Sequence, residues 1–283
     1  GDYGLAVQER AELIMLSDIA GYVGADTCGC LLAIRQDQQE EISLMIDIGT
    51  NGEMVLGNRE RMVTCSTAAG PAFEGAKIEC GMRGAAGAVD HVKYEDGKWN
   101  YTTVGNKPAV GLCGSGLIDL VAGLLEAGML DENGVLRSGQ EKQGVFILVP
   151  PERGGNERGV YLTQKDLGEV QLAKAAIAAG IQMLMERLGI TEDDICSVYI
   201  AGAFGNYMDP VSAGKIGLLP ATLVKKVKPV GNAAGEGAKI ALVNEKEMLE
   251  MDELVRKIEF VELAASADFQ DHFIDELGFE TGE

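Results

Sequence analysis

The feature that most constrains how this chain folds is the segment Asp47-Ile48-Gly49-Thr50-Asn51-Gly52-Glu53. A mostly apolar run, residues 42–46, leads into the acid Asp47, and apolar residues resume directly after Glu53. A short apolar run bounded by turn residues predicts a buried β-strand, and Gly-Thr-Asn-Gly predicts a tight reversal of the chain. The segment therefore predicts two neighbouring strands joined by a glycine turn, with a carboxylate at the end of the first strand.

Two interpretations of this turn stay open on the sequence alone. In the first, the backbone N–H groups of the turn point into one concavity and bind an anion. Gly49 and Gly52 would let a phosphate approach the backbone. Thr50 and Asn51 would add side-chain donors, and Asp47 would hold Mg²⁺ through water. In the second interpretation, Asn-Gly is simply a good hairpin turn between two strands and binds nothing.

The rest of the sequence predicts an α/β fold in which a mixed sheet is flanked by helices. Strands are predicted at residues 42–48, 53–56, 61–65, 197–201 and 258–263, with a hairpin over 94–101. Helices are predicted at residues 12–20, 26–34, 116–127, 163–188 and 232–243. Residues 66–116 are glycine-rich and residues 131–160 are rich in loop-forming residues, which predicts insertions and connections there.

Two further glycine-rich segments adjoin predicted elements. The strand 197–201 runs into Gly202-Ala203-Phe204-Gly205, and a strand that ends in Gly-x-x-Gly leaves a flat backbone surface on which a nucleoside would lie. Strands often end in glycine, so this signal is weak by itself. Residues 230–238 open a helix whose small side chains predict close packing against another helix rather than a ligand site.

Composition disfavours several classes of protein. The formal net charge of −20 disfavours nucleic acid, whose phosphates are bound by Lys and Arg, and equally an anionic membrane surface. No apolar stretch approaches the roughly 20 residues of a membrane span. The six cysteines follow no metal-site spacing. The sequence therefore predicts no iron–sulfur cluster or haem in this chain, and a reduced, cytoplasmic setting.

The order of these segments resembles the second lobe of the acetate and sugar kinase, chaperone and actin (ASKHA) superfamily, which has a ribonuclease H-like fold. That superfamily carries, in order, a first phosphate loop, a first hinge helix, a second phosphate loop, an adenosine loop and a second hinge helix. The last four match residues 24–27, 47–53, 199–205 and 230–238. Nothing before residue 24 matches the first loop, so the resemblance implies that the chain begins after it.

The same resemblance implies three parts of the chain. Residues 1–40 would be the end of the first lobe with its hinge helix. Residues 41–244 would form the nucleotide-binding second lobe with glycine-rich insertions, and residues 245–283 a carboxyl-terminal helix and edge segment.

Six blocks narrow the resemblance to the reductive activators of corrinoid proteins: residues 19–27, 47–53, 68–75, 111–119, 201–205 and 231–234. Members of that family use ATP to drive an uphill electron transfer to the cobalt of the corrinoid protein of a methyltransferase system. An amino-terminal iron–sulfur domain supplies the electron there, and this chain lacks it. A related branch, which activates methylamine methyltransferases, carries a cysteine-rich ferredoxin tail. The last residues here show no such tail, which favours the first branch.

The resemblance also implies roles for individual residues. ATP and Mg²⁺ are the implied cofactors, with Asp47 as the catalytic and metal-organising carboxylate. The other implied nucleotide-binding residues are Gly49, Thr50, Asn51 and Gly52 at the phosphates, Gly202, Ala203, Phe204 and Gly205 at the adenosine, and Glu74 and Lys77 near the ribose or base. Glu74 and Lys77 lie one predicted helical turn apart, so a surface ion pair is an equal alternative. At residues 111–116, tight strand–helix packing is preferred to a further backbone-donor loop.

Two other functions stay open. One is a small-molecule kinase of the same superfamily, which would need a substrate-side catalytic acid and a first lobe that the sequence does not reveal. The other is a non-enzymatic, actin-like assembly protein, whose light scattering would depend on concentration and nucleotide. The implied partner is a corrinoid protein of a methyltransferase system, and a homodimer is left open.

Overall fold

A computed structural model describes residues 15–137 and 144–279 of the chain, together with Gly4, Ala6 and Gln8. The helices are α1 (Ala25–Ile34), α2 (Gly114–Glu126), α3 (Gln164–Leu188), α4 (Gly202–Gly205), α5 (Pro210–Lys215), α6 (Ala233–Val243), α7 (Glu245–Val255) and α8 (Ala267–Asp275). The strands are β1 (Ile42–Ile48), β2 (Gly52–Gly57), β3 (Met62–Thr67), β4 (Ala88–Glu95), β5 (Lys98–Thr103), β6 (Gly111–Leu112), β7 (Val145–Val149), β8 (Val160–Thr163), β9 (Ile195–Ala201), β10 (Val227–Gly231) and β11 (Ile258–Phe260).

The centre of the fold is a six-stranded mixed sheet in the order β10-β9-β1-β2-β3-β11. Strands β1, β2 and β3 form the predicted antiparallel meander. Strands β9 and β10 add in parallel on one side of β1, and β11 adds in parallel to β3 on the other. The prediction of an α/β fold with a mixed sheet flanked by helices is therefore confirmed.

Strand β1 is covered by helices on both faces, which explains its nearly continuous apolar sequence. Leu44, Ile46 and Ile48 belong to the core cluster that contains residues of α3. Met45 points to the opposite face and belongs to the cluster built with α1 and α6. Side chains alternate along a strand, so Asp47 lies on the same face as Met45, below α1.

Helices α1 and α6 pack closely through glycine. A Cβ atom at Gly29 would lie 2.8 Å from the carbonyl oxygen of Ala234, and one at Gly237 would overlap the carbonyl oxygen of Gly29. Contacts this short leave no space for a side chain on either helix at the crossing. The close helix packing predicted from the small residues near the start of α6 is confirmed.

The residues between β3 and α3 form a separate small layer. Strands β5, β4 and β6 make a three-stranded sheet, and β7 and β8 make a two-stranded one. Cβ atoms at Gly114 and Gly116 of α2 would overlap the carbonyl oxygens of Phe73 and Val89. The tight packing preferred for residues 111–116 is therefore observed.

Helix α3 begins and ends where the sequence predicts. The hydroxyl of Thr163 accepts a hydrogen bond from the backbone N–H of Asp166, and the Asp166 carboxylate accepts one in return from the N–H of Thr163, at 2.9 Å. This capping box satisfies the otherwise unpaired donors at the helix start. Gly189 ends the helix in the left-handed conformation, with φ of 70°, which glycine adopts without strain.

Several predicted elements are wrong. Residues 15–20 are irregular rather than helical, with an isolated bridge from Ala20 to Val23, and residues 12–14 of that predicted helix lie outside the described part of the chain. The apolar spacing there reflects packing, because Leu16 and Ile19 contact the cluster formed by α1, α6 and α7. Residues 71–80 form turns, so Glu74 and Lys77 are not one helical turn apart. The glycine-rich segment 202–205, expected to leave a flat backbone surface after the strand, is the short helix α4.

The structure also adds elements. Strand β7 lies within residues 131–160, and β10 and α5 had not been predicted. The division of the chain at residues 40 and 244 stays a prediction. Across the described residues, no helix combines the length and apolar character needed to cross a bilayer.

Candidate functional site

Asp47 lies at the carboxyl end of β1, where three elements meet. Its neighbours across the sheet are Ala201 of β9 and Glu53 of β2. One carboxylate oxygen, Oδ2, lies 3.9 Å from the Sγ atom of Cys30 in α1, which donates to it. The other oxygen, Oδ1, lies 3.0 Å from where a Cβ atom would stand on Gly202. The carboxylate is thus held between the helix on one face of the sheet and the start of α4.

Gly202 has a structural reason to be glycine. Its φ of +87° falls in the region that side chains disfavour, and any Cβ atom would press on the Asp47 carboxylate. Substituting Gly202 would therefore displace Asp47 as well as change the adjoining surface.

The acidic side chains at this point are poorly compensated. Burial raises the pKa of Asp47, the charge of Asp26 raises it further, and the Cys30 hydrogen bond opposes this. Burial likewise raises the pKa of Glu53, opposed by a hydrogen bond from Asn51, while Asp26 and Asp47 add to the increase. Each carboxylate is thus destabilised in its charged form. A divalent cation placed here would relieve that repulsion.

The side chains fit Mg²⁺ held through water better than Mg²⁺ held directly. Within residues 15–137 and 144–279, no group of three His, Cys, Asp or Glu side chains converges closely enough to coordinate a metal. Mg²⁺ commonly keeps several water ligands and binds through one or two carboxylates together with substrate phosphates. Asp47 and its neighbours offer that kind of donor set.

The raised pKa of Asp47 predicts how stability depends on pH. Replacing Asp47 with asparagine removes a charge whose burial costs free energy, so the free energy of unfolding without Mg²⁺ or nucleotide should increase at pH 7. An Asp whose folded pKa is raised binds its proton more tightly when folded, so its ionisation lowers stability as pH rises above the unfolded value of 3.8. The gain from Asp47→Asn should therefore vanish below about pH 4. Urea unfolding of both proteins over a pH series, in EDTA, measures this, and an equal gain at every pH would contradict it.

The turn after Asp47 is tied to the small layer. The N–H of Gly49 donates to the carbonyl oxygen of Asn51 at 2.9 Å, which closes the turn. The hydroxyl of Thr50 donates to Oε2 of Glu74 at 3.1 Å. The backbone carbonyl oxygen of Thr50 accepts a hydrogen bond from the N–H of Gly70 at 2.8 Å. With the Gly49 donor used internally, the N–H groups of Thr50 and Asn51 are the turn's candidates for a phosphate.

Gly52 allows close packing within the sheet and against α3. It is buried at the start of β2, and a Cβ atom there would lie 2.9 Å from Oγ1 of Thr67 and 3.2 Å from Cγ1 of Ile177. The close approach that requires glycine at this position is therefore to β3 and α3. Its predicted contact with phosphate stays a prediction.

A cleft of about 600 Å³ begins beside the turn and extends into the small layer. This volume lies within the usual range of roughly 300–1,000 Å³ for small-molecule sites. The cleft is lined by Ile48, Phe73, Glu74, Met82, Arg83, Gly84, Asp90, Val104, Gly105, Cys113, Gly114, Ser115, Phe204 and Tyr207.

Two stacked aromatic rings form one wall of the cleft. The rings of Phe73 and Phe204 have centroids 5.7 Å apart and planes 17° apart. Gly114 allows this arrangement, because a Cβ atom there would lie 2.7 Å from Cε2 of Phe204. The start of α2 is fixed to β4, since Oγ of Ser115 donates to the carbonyl oxygen of Asp90 at 2.8 Å. The wall therefore has both an apolar surface for a planar ring and polar atoms at its edge.

The structure brings some of the predicted site residues together and separates others. Phe204 and Glu74 line the cleft, and Gly202 contacts Asp47 beside it. Gly205 packs on Ile200 and faces the core. A Cβ atom at Gly205 would lie 2.5 Å from Cγ2 of Ile200. Ala203 lies within α4.

Lys77 points away from the cleft. Its Nζ atom lies 3.0 Å from Oε2 of Glu169 in α3, and half of its side chain is exposed. The ion-pair alternative is thus observed for Lys77, with a different partner from Glu74. Such exposed pairs contribute little to stability.

Sequence reasoning missed most of the cleft. Phe73, Arg83, Ser115 and Tyr207 line it, and Cys30 contacts Asp47, although none had been predicted as a site residue. Arg83 offered one signal, since it is a cation within the glycine-rich residues 81–87. The others come together only through the fold.

Comparison with known proteins finds one matching family and several relatives. The family model of the C-terminal domain of RACo, the ASKHA domain, matches residues 41–283. The corrinoid activation enzyme RamQ of Eubacterium limosum is 36% identical over 96% of this chain and 48% of its own length. The Co(II) methylated amine-specific corrinoid protein reductase of Methanosarcina barkeri is 29% identical over 99% of this chain and 54% of its own.

Solved structures agree with these matches. A solved structure of a reductive activator for corrinoid, iron–sulfur protein superposes with a TM-score of 0.87 and 40% identity. The match covers 93% of this chain and 44% of that one. The chain thus spans about half the length of the relatives it matches.

Proposed function

The chain belongs to the family of the C-terminal domain of RACo, the ASKHA domain, and from this premise we propose that it is the nucleotide-binding lobe of an ATP-dependent reductive activator. In this proposal the whole protein uses ATP to drive reduction of the cobalt of a corrinoid protein that serves a methyltransferase, in the cytoplasm. The names of its relatives support that chemistry. The six cysteines, all unpaired, suit a reducing compartment.

One observation carries the proposal for this lobe. The carboxylate of Asp47 and the turn that follows it stand directly beside a cleft walled by an aromatic ring. Ile48 and Phe204 both line the cleft, and Gly202, two residues before Phe204, contacts Asp47. A polar turn for phosphate and a flat apolar wall for a base are therefore adjacent, as a nucleotide requires.

A nucleotide would lie along this surface with its base in the cleft. The base would pack on Phe204, and the Glu74 carboxylate would accept a hydrogen bond from the ribose or base. The phosphates would lie at the turn, where the N–H groups of Thr50 and Asn51 are the candidate donors. Lys77 would take no part, because it is paired with Glu169.

Asp47 would organise the hydrolytic step. Mg²⁺–ATP, when bound, supplies the phosphoryl group and the metal charge that polarises it. The buried carboxylate of Asp47 would hold and orient water at that metal. Its surroundings favour this role, since the charged form lacks a nearby cation within the part of the chain described.

Nucleotide binding would act on the corrinoid partner through shape. Reduction of the cobalt is unfavourable, so one state of the protein must be stabilised at the expense of another. A ligand shifts such an equilibrium only by the difference in its affinity for the two states. The closely packed pair α1 and α6, which adjoins Asp47, would be the element through which this lobe responds. The electron would come from an iron–sulfur domain outside this lobe.

The alternatives have less support. The relatives at 36 and 40% identity are named as activators of corrinoid proteins, rather than as kinases or assembly proteins. A homodimer stays a prediction, and light scattering with and without nucleotide checks both dimer formation and actin-like assembly. The test of the main proposal is reduction of the corrinoid partner by the full-length protein, followed by its visible spectrum. Equal reduction with and without ATP would exclude it.

Replacing Phe204 with alanine should weaken Mg²⁺–ATP binding by about 10- to 100-fold, because stacking of a base on an aromatic ring contributes roughly 1–3 kcal/mol. The change removes one of the two stacked rings of the cleft wall without touching Asp47 or the turn. Phe204→Tyr keeps the ring and should bind nearly as tightly as the parent. Titration calorimetry of the full-length protein with a non-hydrolysable ATP analogue measures both.

Phe269→Ala is the matched control for the loss of a ring. Phe269 is partly buried on α8, where its ring lies 6.3 Å from that of Phe273. Its removal should leave nucleotide affinity unchanged. If Phe204→Ala binds the analogue as tightly as Phe269→Ala does, the base does not lie on Phe204.

A further inference from the structure

Cys30 stands between Asp47 and the crossing of α1 with α6. Its side chain is fully buried, and its Sγ atom lies 3.9 Å from Oδ2 of Asp47. Among the described residues, this thiol is the group that donates a hydrogen bond to the Asp47 carboxylate. Cys30 also belongs to the buried cluster that contains Ala233 of α6, and Ala234 of α6 packs against that cluster. Cys30 therefore contacts the carboxylate beside the turn and lies in the cluster that joins α1 to α6.

The position of this thiol in the helix crossing is fixed. Gly29, its neighbour in the chain, forms the closest approach of α1 to α6 through Gly237 and Ala234. A shift of either helix would therefore move the thiol relative to Asp47. The other carboxylate oxygen, Oδ1, faces Gly202, where a Cβ atom would lie 3.0 Å from it. The Asp47 carboxylate therefore has little room to move with the thiol.

We propose that Cys30 is the positioning residue for Asp47 and transmits the arrangement of α1 and α6 to the carboxylate. This rests on the proposed function, because it concerns the carboxylate assigned there to nucleotide hydrolysis. The thiol does not touch the nucleotide. It fixes which way Asp47 points and links that orientation to the helix pair.

Cys28 gives a matched control on the same helix. It is also fully buried, but it belongs to the cluster with Leu32, Ala241 and Met251 and does not contact Asp47. Cys28→Ala and Cys30→Ala each remove one sulfur atom from a buried site on α1. A role in packing alone predicts similar effects of the two changes, whereas a positioning role predicts different effects.

The first measurement is independent of nucleotide. The urea midpoint of unfolding is compared for Cys30→Ala in the parent and in the Asp47→Ala background, without Mg²⁺ or nucleotide. With the carboxylate gone, Cys30→Ala should lower the midpoint less than it does in the parent. For Cys28→Ala the decrease should be the same in both backgrounds. Equal decreases for Cys30→Ala in the two backgrounds would show that the thiol does not interact with Asp47 and would overturn the proposal.

The second measurement uses ATP hydrolysis by the full-length protein. Cys30→Ala should lower kcat by about 3- to 10-fold, the size of one modest hydrogen bond, with little change in KM or in affinity for a non-hydrolysable analogue. Cys30→Ser keeps a donor and should lie closer to the parent than Cys30→Ala. Cys28→Ala should keep the parent kcat.

The two measurements separate the two claims. If the parent protein neither binds nor hydrolyses ATP, the proposed function fails, while the midpoint comparison still reports on the contact between Cys30 and Asp47. If the parent hydrolyses ATP but Cys30→Ala has the parent kcat, or Cys30→Ser is no better than Cys30→Ala, the positioning role is wrong.

Discussion

Replacing Asp47 with asparagine in the full-length protein should lower the rate of ATP hydrolysis by about 100-fold or more, because charge stabilisation at a transferring phosphoryl group is worth several kcal/mol. The substitution keeps the shape of the side chain and both of its contacts, and removes only the charge. Asparagine cannot organise metal-bound water as a carboxylate does. Affinity for the nucleotide should change far less than kcat, since the cleft and the turn are intact.

Steady-state phosphate release measures this effect, and Asp37→Asn is its matched control. Burial also raises the pKa of Asp37, which lies before the start of β1, whereas Asp47 is the penultimate residue of that strand. The Asp37 substitution tests the loss of a partly buried carboxylate away from the turn. Asp37→Asn should hydrolyse ATP at the parent rate. If folded Asp47→Asn does so too, the assignment of the phosphate turn is wrong.

The same variant should fail to activate the corrinoid partner. The uphill electron transfer depends on the nucleotide, whereas reduction of an iron–sulfur domain by an external donor does not. Asp47→Asn should therefore leave that reduction intact and abolish reduction of the cobalt, as followed by its visible spectrum. A variant without hydrolysis that still reduces the partner would separate ATP hydrolysis from activation.

The elements predicted correctly are those specified by local sequence. Strand β1 is a short apolar run whose penultimate residue is an acid, and α3 carries a capping box at Thr163 and a glycine at its end. In each case the signal lies within one turn or one strand. Such elements are predictable because neighbouring residues supply both the hydrophobic pattern and the ends.

Strand β10 was missed because it lies at the edge of the sheet. Its sequence, Val-Lys-Pro-Val-Gly, contains a charge and a proline, which edge strands tolerate and central strands do not. Lys228 is partly accommodated by its donation to Oγ of Ser197 at 2.9 Å. Nothing in the local pattern distinguishes such a segment from a loop, so its place in the sheet follows only from its pairing with β9.

The cleft could not be predicted for a different reason. Its wall joins Phe73, from the turns after β3, to Phe204, which follows β9. The two residues meet because the small layer packs over the end of the central sheet. Glycine patterns located the turn and the start of α4, but they could not show which side chains of residues 68–116 would face them. The contact of Cys30 with Asp47 is of the same kind.

Gly237→Ala should have the second large effect, a loss of about 3 kcal/mol or more in the free energy of unfolding, at or beyond the upper end of ordinary overpacking. The added methyl group would overlap the carbonyl oxygen of Gly29. That atom belongs to the backbone of α1 and has no other rotamer to adopt, so the two helices must separate. Separation would also open the cluster in which Met45 packs on α1 and α6.

Gly168→Ala provides the matched comparison, since Gly168 also lies within a helix but has no neighbouring atom within 4 Å of the position of the added methyl group. There the substitution should stabilise the protein by about 0.5–1 kcal/mol, because alanine loses less backbone entropy than glycine on folding. Urea unfolding of the two variants measures both effects. Similar stabilities of Gly237→Ala and Gly168→Ala would mean that α1 and α6 do not cross at backbone contact, and that the helix pair is too loosely packed to hold Cys30 against Asp47.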